Sequence, residues 1–584
     1  MMLNSGLVRV LRVDLTTGEF QVADRPDLWR DYLGGTGVAF RLLDESVYDD
    51  RDALHPSQPV AFANGPLTTI FPVVTKAVAT FRSPLTGEYG ESHAGGHFAS
   101  ALRYSGYDAL ILTGAARRLS YLVIHDNKVE IRAADAMRGM DTIETGSQVR
   151  DLVKGAGHRS ILRIGPAGES RIRYANGNVD TFRHFGRLGL GAVLGSKNLK
   201  AIAITGQKAL DLPVDSWAYK KLYAEIYDRV LHTDVMKKYH ELGTPVNVLP
   251  LNELGALPTY NLRQGYFGEA AEISGEAFAE GELVTKRACV GCQIGCIHVA
   301  LYRRPFAPGW EYESTMVAYD HELVYAVGSL LGIGDRPGIL RLIEEIDRAG
   351  MDIISCGTAL AWATEAMEKG IVGPDQFGGI DLRWGDVERY SCAVAAITAG
   401  SSELGQWLGQ GEVAAARHYG ATDYVAAVGG QGIAGYWTGY AHVLGHLLGA
   451  RHSHLDNGGY AIDQKLEPYT DEAIVDRIVA DEAERIVQTS VSVCLFARGV
   501  YDLGTISQAL ASVGIVRSVD DLRAMGQRIY WERVRLRERL GFHARLEDLP
   551  HRFFETPTPR GQLQPDRMAH LLEIYQDRRA AALG

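Results

Sequence analysis

At 584 residues the chain is too long for one hydrophobic core, and length alone predicts about three or four domains. Its 46% hydrophobic and 22% charged residues are those of an ordinary globular protein. A net charge of −11 argues against nucleic acid as the partner, which needs a basic face, and against general attraction to anionic lipid.

Short alternating segments broken by turns fill the chain to about residue 210. Leu7–Leu15 turns at Thr16-Thr17-Gly18 into Glu19–Val22 as a predicted hairpin, and Tyr121–His125 turns into Val129–Arg132 as another. Further strands are predicted at Lys76–Phe81, Ala109–Thr113, Ser160–Ile164 and near Lys200–Thr205. Beyond Pro213 the apolar period lengthens. Helices are predicted over 217–242, 338–350, 357–370, 391–419, 471–490, 518–541 and 566–582, with a glycine-rich seam at Val428–Gly449. The expected fold class is α+β: a sheet-rich domain over 1–210, then mainly helical domains over 211–420 and 421–584, with a cofactor at their junction. No apolar run reaches the ~20 residues of a membrane span. The first residues lack a basic stretch leading into an apolar one. Six cysteines are too few for a secreted disulfide framework, so a cytoplasmic setting is expected.

The densest chemical signal is Cys289, Cys292 and Cys296 in the run RACVGCQIGC. Three thiols within eight residues, with Gly291 and Gly295 between them, call for a thiophilic metal and a loop free to fold round it. Structural zinc sites usually pair two C-x2-C knuckles, and only one is present. A [4Fe–4S] cluster takes three local thiolates and one remote one, so iron–sulfur is preferred over zinc. Cys356, Cys392 and Cys494 are the candidates for the fourth ligand, and each also reads as a small buried apolar residue. Spacing leaves the choice open.

Several segments, in order, resemble the aldehyde:ferredoxin oxidoreductase family of tungsten-pterin enzymes. They are Val8–Gly18, Gly65-Pro-Leu-Thr, Ser83-Pro-Leu-Thr-Gly, Ala94-Gly-Gly-His-Phe, Gly106-Tyr-Asp-Ala, Ile164-Gly-Pro-Ala-Gly-Glu, Gly191–Ile202, the cysteine triplet and Glu311-Tyr-Glu-Ser. The resemblance implies that Cys494 completes the cluster with the triplet. It implies a tungsten bis-pterin gripped by D-x-x-G-L-[C/D] motifs, here Asp347-Arg-Ala-Gly-Met-Asp352 and an eroded copy, Thr489-Ser-Val-Ser-Val-Cys494. Thr489 can accept a hydrogen bond from a pterin amine but without charge assistance. Lys76 stands where the family uses an arginine between pterin and cluster, and lysine offers no bidentate fork. Magnesium between the pterin phosphates would use backbone carbonyls at positions matching His93 and His184, with Gly95, Gly96, Arg183 and Arg187 near the phosphates.

The same resemblance implies Glu313 as the proton acceptor and His454 as the donor that polarises substrate oxygen, His452 standing second to it. The bland readings are a helix-capping glutamate and histidines that satisfy buried carbonyls. With no G-x-G-x-x-G unit in a βαβ setting, NAD is not expected. The implied function is oxidation of aldehydes to carboxylic acids. Electrons pass through one cluster to a ferredoxin or iron–sulfur subunit, in a chain expected to form oligomers. The alternatives are the catalytic subunit of a dearomatising aryl-CoA reductase and a non-catalytic iron–sulfur electron-transfer protein.

Overall fold

The computed structural model describes residues 6–210, 216–309, 311–465 and 469–584. The expected change of character after Pro213 lies outside these. Both predicted hairpins are present, as Val8–Asp14 with Phe20–Arg25 and Ser120–His125 with Lys128–Ala133. They belong to two separate six-stranded sheets.

The first sheet runs, in spatial order, Phe20–Arg25, Val8–Asp14, Ala109–Thr113, Val60–Ala63, Ala77–Arg82 and Tyr89–Ala94. The second runs Arg183–Phe185, Gly177–Val179, His158–Arg163, Leu199–Gly206, Ser120–His125 and Lys128–Ala133. Alternation along each strand divides the residues between two faces. Leu11, Phe62 and Phe81 of the first sheet meet Leu122, Leu162 and Ile202 of the second in one apolar layer. The aromatic ring of Phe62 lies 5.4 Å from Phe98 and 5.6 Å from Phe185. The opposite face of the first sheet, with Val8, Val10 and Val78, joins the main core that extends through the helices to Tyr575.

The remainder is mainly helical. The helix expected over 391–419 is three, Val387–Ala399, Glu403–Leu408 and Glu412–Tyr419, with Gly400 in the left-handed region closing the first. The stretch 217–242 divides likewise into Ser216–Leu231 and Asp234–Glu241. One sheet was not expected: Leu283–Arg287, Ile297–Ala307 and Glu311–Tyr319 pair antiparallel, and the cysteine triplet is the connection between the first two strands. Among the described residues no helix is long and apolar enough to cross a membrane.

The helix Asp471–Ser490 carries the C-terminal part of the chain onto the N-terminal sheets. Its end abuts Gly65, where a Cβ would lie 2.2 Å from the Val491 carbonyl carbon, so only glycine admits that approach. This contact sets Thr489 and Cys494 against the segment that leads to Lys76.

Candidate active site

The segment Val73–Lys76 lies between the two cysteine-bearing stretches. Val73 N–H donates to the Gly291 carbonyl at 3.0 Å, and Cys494 N–H donates to the Val73 carbonyl at 3.1 Å. Lys76 N–H donates to Ser492 O at 3.1 Å. Val73 is held at φ +62°, a left-handed conformation that costs a β-branched residue roughly 1–3 kcal/mol. On the other side Gly95 faces Cys289: a Cβ there would sit 2.5 Å from the thiol sulfur and 3.5 Å from Lys76 Nζ.

Cys289, Cys292, Cys296 and Cys494 are all half-buried and line one cavity of about 360 Å3. Cys356 is buried elsewhere and Cys392 is exposed. Burial, and then the charge of neighbouring thiolates with Cys494 foremost, pushes the Cys292 thiol up to about 12. Burial pushes Cys296 to about 11 against the pull of Arg183. Cys292 and Cys296, buried at such cost beside two further thiols, are what metal binding relieves, because it deprotonates them and pairs their charge. Among the described residues no three His, Cys, Asp or Glu side chains converge on a single ion.

The same cavity collects Lys76, His93, Arg183, His184, Asp347, Asp352, Thr489 and His454. Gly95 and Gly96 border it, Gly96 at φ +85° with its missing side chain's place 3.4 Å from Arg183 Cγ. Arg183 is a second cation at the thiols: burial disfavours its charge, yet Cys289, Cys296 and Asp320 hold its pKa above the ordinary value. The motif Asp347–Asp352 is a joint between helices. Asp347 lies in the last turn of Arg336–Ala349, Gly350 closes that helix at φ +79°, and Asp352 caps Ile353–Glu368.

These carboxylates differ in what they have left to offer. Asp347 lies 2.8 Å from His184 Nε2 and accepts from Asn178 Nδ2 at 3.0 Å; despite burial, these neighbours hold it below the usual carboxylate range. Asp352 already accepts from the Ile354 and Ser355 amides and from Arg187 Nε at 3.1 Å. Thr489 donates its hydroxyl to the Arg485 carbonyl at 2.8 Å and meets Thr36 Oγ1 at 2.9 Å. Its hydroxyl is therefore already committed. The His93 imidazole lies 2.7 Å from Glu91 Oε1, so the ring is committed too.

Glu313 is elsewhere. It stands on the exposed outer half of the strand Glu311–Tyr319, its side chain 56% exposed and 2.7 Å from Arg304 NH2. A proton acceptor in open solvent cannot serve an enclosed cavity. Besides Glu91, Asp347 and Asp352, the carboxylates that line it are Asp320 and Glu322 from the next turn of chain, Asp320-His321-Glu322. Asp320 caps the helix His321–Val327 by accepting from Leu323 N at 3.1 Å. Burial, reinforced by the like charge of Glu322, pushes Asp320 up to about 7. Glu322 Oε1 lies 3.2 Å from His454 Nε2 and accepts from the Tyr436 hydroxyl at 3.2 Å. A helix N-terminus opening D-H-E was the available signal, and the closer string match E-Y-E-S obscured it.

His454 is placed by a tight loop after the helix Tyr440–Leu448. Asp456 accepts from Arg451 N at 2.9 Å and Ser453 N at 3.1 Å, which fixes the turn. Burial, and then the positive charge of Arg187, pushes His454 down to about 3, so the imidazole is neutral. His452 is structural: its nitrogens meet Glu88 Oε1 at 2.7 Å and the His446 carbonyl at 2.9 Å. Buried cavity atoms without a protein partner include Asn176 Oδ1, Arg187 NH1, Gln431 Oε1 and His454 Nδ1. This mixture of donors and acceptors fits a polar ring-and-phosphate cofactor rather than an apolar one.

Residues 10–206 match the family described as Aldehyde ferredoxin oxidoreductase, N-terminal domain, and residues 221–579 match its domains 2 & 3. The chain belongs to the aldehyde ferredoxin oxidoreductase family. It is 32% identical to the tungsten-containing aldehyde ferredoxin oxidoreductase of Thermococcus kodakarensis, covering 95% of this chain and 92% of that one. It is 33% identical to the Pyrococcus abyssi protein of the same description over the same shares. An aliphatic sulfonate oxidoreductase, WOR-like subunit, of Pyrococcus furiosus is 27% identical, covering 70% of this chain and 66% of that protein. The fold also matches a chain of the active site complex BamBC of benzoyl coenzyme A reductase in complex with 1,5 dienoyl-CoA. There the TM-score is 0.83 at 22% identity, covering 98% of this chain and 94% of that one. Membership of an oxidoreductase family with tungsten-containing relatives agrees with the cavity's donor set.

Proposed function

We propose that this chain oxidises aldehydes to carboxylic acids at a tungsten bis-pterin and delivers the electrons through one [4Fe–4S] cluster to a ferredoxin-type carrier. The observation that carries the reading is the single cavity shared by four cysteines, the Asp347–Asp352 joint and the Glu322–His454 pair. Identity of 32% over nearly the whole chain favours this activity over aryl-CoA reduction, for which the similarity is one of fold.

Bound here, the tungsten cofactor supplies the two-electron redox chemistry. Asp347 and Asp352 would hold one pterin. Thr489 would hold the second weakly, because its hydroxyl is already engaged. Lys76 and Arg183 would bridge cofactor and cluster as cations, and magnesium would take the carbonyls of His93 and His184. Cys289, Cys292, Cys296 and Cys494 would hold the cluster.

Aldehyde plus water gives carboxylic acid, two electrons and two protons, so the protein must take protons away. Glu322 is the acceptor within the cavity. Its Oε1 accepts from the Tyr436 hydroxyl at 3.2 Å, and His454 Nε2 lies 3.2 Å from the same oxygen. His454, neutral and beside that carboxylate with its Nδ1 unpartnered in the cavity, fits the donor that polarises substrate oxygen. Asp320, with a pKa near neutrality, can exchange the proton onward.

Anaerobic assay of the purified holoenzyme with a panel of simple aldehydes and a viologen acceptor tests the reading. Dye reduction with aldehydes and none with an aromatic CoA thioester is expected; the reverse pattern would favour the reductase.

A further inference from the structure

We propose that the substrate is an aldehyde whose far end carries a carboxylate, held by Arg498 at the mouth of the cavity; this deepens the aldehyde reading above and rests on it. The cavity reaches solvent on the side of the Glu322–His454 pair. His454 is buried, whereas Tyr239, Tyr460, Phe496 and Arg498, which line the same cavity, are partly exposed, and Leu455 is 39% exposed. A substrate approaching Glu322 from solvent passes these side chains.

The wall between the pair and the mouth is aromatic. The Tyr436 ring lies 4.8 Å from the His454 ring and 5.1 Å from Tyr460, and Tyr460 lies 6.0 Å from His454. Tyr239 and Phe496 stack at 4.7 Å. Rings present large, rigid apolar faces, so this wall suits a flat apolar spacer. At Tyr460 the wall meets a cation. Arg498 donates from NH2 to the Tyr460 hydroxyl at 3.4 Å and from NH1 to the Leu495 carbonyl at 2.9 Å.

Arg498 differs from the other arginines of the cavity in having no carboxylate of its own. Arg187, Arg451 and Arg485 each have one at 3.1 Å or less, from Asp352, Asp456 and Asp481. Among the described residues Arg498 pairs with none, and its two bonds use two of the five N–H donors of a guanidinium. Burial disfavours the charge of Arg485; Asp481 opposes this, and the like charge of Arg498 adds to it. This end of the cavity therefore lacks a negative charge. A guanidinium pinned at two points with N–H groups to spare offers the planar fork that a carboxylate takes bidentately. Charge also sets the direction of binding, because the reverse pose would bring the substrate carboxylate against Glu322. The aldehyde end then faces Glu322 and His454, and oxidation yields a dicarboxylate.

The test compares 4-carboxybenzaldehyde with its methyl ester on the holoenzyme, with viologen as acceptor, and follows terephthalate binding by calorimetry. Arg498→Gln should lower the acid-to-ester ratio of kcat/KM by about 10- to 100-fold, mainly through KM for the acid. That ratio cancels the intrinsic reactivity of the two aldehydes. Arg498→Lys, which keeps the charge without the fork, should lose less. In the wild type alone, rising salt should raise KM for the acid and leave KM for the ester unchanged. A ratio unchanged in Arg498→Gln, or an equal salt response of acid and ester, overturns the proposal. If the wild type oxidises neither aldehyde, the enzymatic reading fails and calorimetry decides the anion site by itself. Terephthalate binding that is lost in Arg498→Gln sustains the site, and binding that is absent or equal in both overturns it.

Discussion

His454 Nε2 lies 3.2 Å from Glu322 Oε1, and the Tyr436 hydroxyl reaches the same oxygen at the same distance. The Tyr436 hydroxyl holds Glu322 within the cavity beside His454, while Glu313 faces solvent on a hairpin. Glu322→Gln should therefore lower kcat by about 10²- to 10⁴-fold, the usual worth of a positioned general base. Glu313→Gln should stay within about 2-fold of wild type, since a solvent-exposed ion pair contributes little. Steady-state kinetics with a viologen acceptor checks both.

Gly95 has no room for a methyl group, because the Cys289 sulfur occupies the position 2.5 Å from where its Cβ would be. Gly95→Ala should displace Cys289 and lower iron content and the cluster's visible absorbance, while Gly87→Ala, at a site with nothing within 4 Å, should not alter the cluster.

Cys494 is bonded through its backbone to the strap beside Lys76 and opens on the cavity, whereas Cys392 is exposed on a distant helix. Cys494→Ala should abolish the cluster absorbance and Cys392→Ala should preserve it. Equal behaviour of the two would refute the ligand assignment.

Burial pushes the Glu412 carboxyl up to about 7, with only the Ala426 amide, Thr358 and distant Arg187 to oppose it. Its ordinary value is about 4.3, so between roughly pH 4 and 7 the folded chain keeps a proton that the unfolded chain has lost. Stability from this group is full below about pH 4, falls as pH rises to about 7 and is flat above. Glu412→Gln, which mimics the protonated form, should raise the melting temperature at pH 8, by up to about 3 kcal/mol in stability. It should change little at pH 4. Thermal unfolding at the two pH values checks it.

The hairpins at Val8–Arg25 and Ser120–Ala133 were legible in sequence because period-2 alternation and a short turn are local properties. The Asp347–Asp352 joint was legible as a motif, and its structure gives the reason: a helix end, a left-handed glycine and a helix cap in six residues. Glu322 was not. A four-residue string such as E-Y-E-S carries no information on which way its strand faces, and the outward turn of Glu313 follows from pairing with Arg304 across the ribbon. The three-stranded sheet was missed because the cysteine loop separates its first two strands and Arg303–Phe306 lacks an apolar face. The long helix over 391–419 was over-read, since alanine-rich periodicity continues past glycines that end each piece. Arg183 was legible as a phosphate-side cation, but its place beside Cys289 and Cys296 was not, because the contact joins segments more than a hundred residues apart.

Metal analysis of the purified protein is the most direct test of the central claim, that one cavity holds both a tungsten cofactor and a cluster. About one tungsten and four irons per chain are predicted; iron without tungsten, or zinc alone, would contradict it.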